Sequence, residues 1–113
     1  MTARVTSAIM VNALVRRVNQ QGGSAMILAK GDPTAGAILL ITYEKAANPR
    51  FFERGIGPDG EAALVASGPA AIADESEVSA YWKRRRDRDS DLWVVELDIA
   101  QAERFIAETM GFH

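Results

Sequence analysis

Few residues in this chain have the type and spacing to do chemistry, and most of them are carboxylates and guanidinium groups. Asp32, in Lys30-Gly31-Asp32-Pro33, has the chemistry of an acid, a base or a cation ligand. Asp91 and Glu96, with Arg16 or Arg17, would complete an enzyme-like set only if the fold brought them into one concave pocket. An Asp among turn residues more often accepts hydrogen bonds from its own backbone, and that is the role expected of Asp32. Asp87, Asp89 and Asp91 alternate as in a calcium loop, but the glycine and the closing glutamate such a loop needs are missing. His113 is the only histidine and the last residue, without the partners of a triad or a metal site. No serine lies in a Gly-x-Ser-x-Gly elbow. With no cysteine, disulfides, thiolate catalysis, iron–sulfur clusters and cysteine zinc sites are excluded. No catalytic set, metal or cofactor is expected.

Two further motifs carry a sharper reading beside a plainer one. Lys83-Arg84-Arg85-Arg86, with Arg88, is the densest run of charge, and Tyr81 and Trp82 beside it can stack on bases. Basic residues also complement the dipole at the C-terminal end of a helix. Asp87, Asp89 and Asp91 interleave with the cations, and the net charge is -2, so a solvated helix end is favoured over a nucleic-acid surface. Gly55-Ile56-Gly57-Pro58-Asp59-Gly60 matches the letters of a dinucleotide fingerprint. That fingerprint must open a helix, whereas Pro58-Asp59-Gly60 reads as a turn between two strands. Trp82 and Trp93 have the chemistry of binding anchors, but Trp93 sits in a strand-like run and is expected in the core.

These groups need elements to hold them. The length of 113 residues suits one domain, 1–113, and a hydrophobic share of 48% is enough to build a core. No apolar run approaches the ~20 residues that span a bilayer, and the first residues do not read as a signal peptide. The cytoplasm is the expected compartment. Val11, Leu14, Val15 and Val18 recur at helical spacing over Ser7 to Gln21, and Gly22-Gly23 ends that helix. The stretch Ser24 to Tyr43 is two apolar runs, most apolar at Met26 to Leu28 and Ile38 to Ile41, around turn residues, and is expected to form an antiparallel hairpin. Arg50 to Arg54 and Glu61 to Ala66 make a second hairpin about Gly57-Pro58-Asp59-Gly60. A helix opening at Asp74 to Glu77, a strand Trp93 to Leu97 and a last helix ending at Gly111 complete the order, with Asp98 and Gln101 spaced as a capping box.

Val15-Arg16-Arg17, Lys30-Gly31-Asp32 followed by Ala35-Gly36-Ala37, and Asp89-Ser90-Asp91-Leu92-Trp93-Val94-Val95-Glu96 resemble, in the same order, the small alphaproteobacterial proteins of domain-of-unknown-function family 1491. The Asp-x-Asp-Leu-Trp-Val-Val-Glu block is the most specific element. The resemblance implies an α+β domain in the cytoplasm and lends no activity and no catalytic residue.

The fold expected is α+β: a mostly antiparallel sheet of about five strands with N-terminal, central and C-terminal helices on one face. The strand of Trp93 should pair with the first hairpin, since these are the most apolar runs. The function expected is that of a non-enzymatic binding or protein-interaction module, with a protein partner or a second copy of the chain, no membrane, and nucleic acid disfavoured. The surface positions singled out are Arg16, Arg17, Lys30, Asp32, Arg84, Arg85, Arg86 and Asp91. The alternatives are a weak nucleic-acid binder using Lys83 to Arg88, and a small enzyme using Asp32, Asp91 or Glu96.

Overall fold

Trp93-Val94-Val95-Glu96-Leu97 offers apolar side chains to both faces, as a strand covered on both sides must. In the computed structural model, which describes residues 5–112, this run is an interior strand. The elements are α1 (Ser7–Gln20), β1 (Ser24–Ala29), β2 (Ile38–Glu44), β3 (Ala47–Ile56), β4 (Ala62–Ser67), α2 (Glu75–Arg88), β5 (Trp93–Asp98) and α3 (Ala102–Met110). The five strands form one sheet in the order β1-β5-β2-β3-β4. The α+β fold and the second hairpin, β3 with β4, are as expected, with Gly57 to Glu61 closing the turn.

Three features differ from the sequence reading. The first hairpin does not form. β5 lies between β1 and β2, antiparallel to β1 and parallel to β2, so the sheet is mixed. The segment 30–37 is long enough to step over a strand, and β5 is the more apolar neighbour for both. Nor do the helices share one face. α1 and α3 cover the side of Ile38, Leu40, Trp93, Val95 and Leu97. On the opposite side Val78, Tyr81 and Trp82 of α2 pack against Leu39, Ile41, Phe51 and Val94. Finally, Asp98 does not cap α3. Its carboxylate accepts from the N–H groups of Lys45 and Ala46 at 2.9 and 2.8 Å, holding the tight turn between β2 and β3. Gln101 takes the N-cap position without a side-chain bond. That turn has no glycine: Lys45, Ala46 and Asn48 all have positive φ.

The ends of the first two helices follow their local chemistry. Thr6 caps α1, and the turn after it passes through Gly22 at φ +87°, an angle that favours glycine. Asp74 caps α2 by accepting from Glu77 N–H at 3.1 Å. The N–H groups of Ser7 and Ala8 donate to the carbonyls of Thr34 and Pro33, so the 30–37 loop satisfies donors that the start of a helix leaves free.

Candidate functional site

The side chains singled out in the sequence do not converge on one place. Lys30, Asp32, Arg86 and Asp91 meet at one end of the sheet, where the 30–37 loop crosses the turn before β5. Asp32 N–H donates to the Asp91 carbonyl at 3.0 Å. The Asp32 carboxylate accepts from Thr34 and Ala35 N–H at 3.2 and 2.8 Å, the backbone role expected of it. Arg86 donates to the carbonyls of Lys30, Ser90 and Leu92. Trp93 Nε1–H donates to the Asp32 carbonyl at 2.8 Å. Gly31 and Gly36 flank the Asp91 carbonyl, and a Cβ on either would lie 2.0 or 2.3 Å from that oxygen. These residues form a clasp of guanidinium, carbonyls and close-packed glycine backbone.

The remaining charged positions lie elsewhere. Arg17 reaches α3, bonding Thr109 at 2.7 Å and Glu108 at 3.2 Å, while Arg16 is exposed on α1. Arg84 is exposed; Arg85 turns inward to a two-pronged ion pair with Glu53 at 2.7 and 2.9 Å and a bond to Tyr81. Glu96 lies on the α2 side in the second half of β5, while Asp91 precedes that strand. Asp32, Asp91, Glu96, Arg16 and Arg17 do not come together in one pocket. His113 lies outside the described residues.

Two glutamates titrate in opposite directions for clear reasons. The Arg85 guanidinium holds Glu53 below its ordinary value of 4.5, against the opposing effect of burial. Burial first, and then the charge of Glu75, raise Glu96 above the same value; the Tyr43 hydroxyl opposes this. Tyr43, itself buried, donates to the Glu75 carboxylate at 2.8 and 2.9 Å and is raised by burial and by that bond. The signs then differ. Folding lowers Glu53, so its contribution is present above the unfolded value and is lost as pH falls through the folded value. Folding raises Glu96, so the folded state binds the extra proton, and stability falls as pH rises from the unfolded to the folded value. At pH 7, Glu53→Gln is expected to lower stability by about 1–3 kcal/mol. Glu96→Gln is expected to raise stability at pH 7 and to flatten the pH profile above 4.5. Urea unfolding across pH checks both, and a destabilised Glu96→Gln protein at pH 7 would refute the assignment.

One further feature was not legible in the sequence. A groove runs over the α1–α3 side of the sheet, between the helices and the β3–β4 hairpin. One lobe, about 470 Å³, lies between the start of α1, the 34–38 segment and β3. The other, about 620 Å³, lies between Met10, Met110, Phe112 and the hairpin residues Pro58, Ala62 and Ala63. Met10, Arg54 and Met110 line both lobes. Val5 lines the first and is an exposed large apolar residue, as are Ile9 and Ile56 on the neighbouring elements. The available signal was apolar residues outside the expected stripes: Ile9 and Met10 sit beside the Val11–Leu14–Val18 stripe of α1 without belonging to it. Among the described residues no cluster of histidine or carboxylate side chains is placed to hold a metal ion, and no helix is long and apolar enough to cross a membrane.

The family model described as "Protein of unknown function (DUF1491)" matches residues 5–107. The fold is similar to the crystal structure of a DUF1491 family protein from Caulobacter crescentus CB15, at 31% identity and TM-score 0.75, over 90% of this chain and 94% of that one. It is likewise similar to the NMR structure of a DUF1491 family protein from the same organism, at 30% identity and TM-score 0.73, covering 92% and 94%. The solution structure of protein Atu0922 from A. tumefaciens is similar at 28% identity and TM-score 0.69, covering 88% and 89%. No curated protein matches the chain. The chain belongs to the DUF1491 family.

Proposed function

We propose that this member of the family is a non-enzymatic binding module whose contact surface is the groove between α1, α3 and the β3–β4 hairpin. One observation carries the reading. Arg17, Asp32, Arg85 and Arg86, which looked chemical in the sequence, are spent on holding the fold, while the exposed Val5 lines the groove with Met10 and Met110, and the exposed Ile9 and Ile56 stand on the elements beside it. Small-molecule sites share this character, being concave, mostly apolar and supplied with few polar groups. The adjoining strand β4 is a sheet edge without a charged residue, a surface that isolated proteins usually blunt. The cytoplasm is where we place the activity, in keeping with a sequence free of cysteine. The nucleic-acid reading has less support, because Arg85 and Arg86 bond within the protein and leave Lys83, Arg84 and Arg88 as the exposed cations of the run.

The test compares the native chain with Met110→Arg, which puts a charge into both lobes. Molecules retained from a native extract by the immobilised protein are identified by mass spectrometry and then added back in pure form. A protein, a small molecule or a second copy of the chain should bind the native protein and bind the variant at least about tenfold more weakly, the loss expected for an unpaired charge in an apolar contact. Equal binding to both would overturn the assignment of the groove. Turnover of the retained molecule would overturn the non-enzymatic reading.

A further inference from the structure

We infer that the groove takes a small apolar monocarboxylate, its carboxylate on Arg54 and its apolar tail in the lobe beside Val5, Met10 and Met110. The inference rests on the groove being the binding surface and adds the chemistry of the occupant. Arg54 stands on β3 opposite Leu64 of β4 and lines both lobes. Among the described residues it is the only cationic side chain lining either lobe. Other arginines of the domain are engaged: Arg17 and Arg104 with Glu108, Arg50 with Glu103, Arg85 with Glu53. Among the described residues, no ion pair includes Arg54. Its neighbour in sequence, Glu53, also lines the first lobe, but that carboxylate is held by both prongs of Arg85.

Charge decides what kind of anion fits. A guanidinium fork matches a carboxylate with two parallel hydrogen bonds. A phosphate dianion would need more positive charge than one arginine supplies, and Asp59 and Glu61 at the rim of the second lobe would repel it. Among the described residues the first lobe has no carboxylate beyond the engaged Glu53, so the tail belongs there. Its apolar lining is Val5, Met10, Ala35, Ala37, Ile38 and Met110, beside the hydroxyl residues Thr6, Ser7 and Thr34, of which Thr6 and Ser7 bond to backbone. Methionine side chains adapt to chains of different length, which suits an alkyl tail. Its volume of about 470 Å³ lies within the roughly 300–1,000 Å³ of small-molecule sites.

The experiment titrates the purified protein with straight-chain monocarboxylates of two to ten carbons, below their aggregation range, by calorimetry and by amide shifts in NMR. Alcohols and alkyl phosphates of the same lengths are run beside them. Affinity should rise about threefold to fourfold per methylene until the lobe is filled. The carboxylate should bind at least about tenfold more tightly than the matched alcohol, the gain expected of a charge-assisted pair. It should also bind more tightly than the matched phosphate. Arg54→Met should remove the preference over the alcohol while keeping the dependence on tail length, and shifts should cluster at Met10, Arg54 and Met110. Equal affinity for carboxylate and alcohol in the native protein would overturn the inference without any variant. A preference that survives in Arg54→Met would overturn it too. If carboxylates fail but Met110→Arg still releases a native partner, the groove remains the binding surface and only its proposed occupant falls.

Discussion

Replacing Trp93 with alanine is expected to lower the unfolding free energy by about 3–5 kcal/mol, the usual range for emptying a buried aromatic site. The ring is 5% exposed and packs with Val11, Leu14, Ile38 and Val95 on the α1–α3 side of the sheet. It also anchors the loop above it, since Nε1–H donates to the Asp32 carbonyl while Trp93 N–H donates to Ala37. Alanine removes the ring and leaves the Asp32 carbonyl without that donor. Trp93→Phe separates the two effects: it keeps most of the volume and should lose only about 1 kcal/mol, the net worth of one hydrogen bond. Native domains hold roughly 5–15 kcal/mol in all, so the alanine variant would forfeit a large share. Urea unfolding gives the result as a lowered midpoint at unchanged slope. A loss below about 1 kcal/mol would mean the indole is not part of the core and would return it to the list of binding anchors.

The second large effect is expected at Gly31. A Cβ there would lie 2.0 Å from the Asp91 carbonyl oxygen and 2.8 Å from the Leu92 carbonyl carbon, both backbone atoms. A flexible side chain could swing away, but the 89–92 backbone is pinned by Arg86 and by the Asp32 N–H bond, so the loop itself must move. Gly31→Ala is therefore expected near or above the upper end of the ~1–3 kcal/mol typical of overpacking. Gly36 crowds the same oxygen from the other side, at 2.3 Å. Because both methyl groups displace one carbonyl, the double variant should be less destabilised than the sum of the two singles. Thermal and urea unfolding of the three proteins measure this. Full additivity, or a near-neutral Gly31→Ala, would show that the loop does not close over Asp91.

These two sites also explain what the family resemblance rests on. Lys30-Gly31-Asp32, Ala35-Gly36-Ala37 and Asp89 to Glu96 are separate in the sequence and become one structure in the fold. Arg86, Gly31, Gly36 and Trp93 are its joints. The second and third of the motifs that mark the chain are accounted for by architecture, and the surface proposed to bind lies beside them, reached through the same 34–38 segment that walls the first lobe.

Local chemistry alone determined much of this protein. The span of α1 follows from the Val11–Leu14–Val18 stripe and Gly22. The start of α2 follows from Asp74, the β3–β4 turn from Pro58-Asp59-Gly60, and the turn role of Asp32 from its neighbours. Each is settled by atoms a few residues apart. The sheet order was decided only in three dimensions: two apolar strands around turn residues can pair with each other or admit a third, and the burial of β5 on both faces makes the second arrangement win. The same holds for the placement of α2 on the opposite face and for the fate of Asp98, which is taken by a turn fifty-odd residues away. Arg54 gave no signal in the sequence, where it ends a short strand like any surface arginine. Among the described residues it becomes the one cation lining the groove, because sheet register and the ends of α1 and α3, distant in the chain, meet around it.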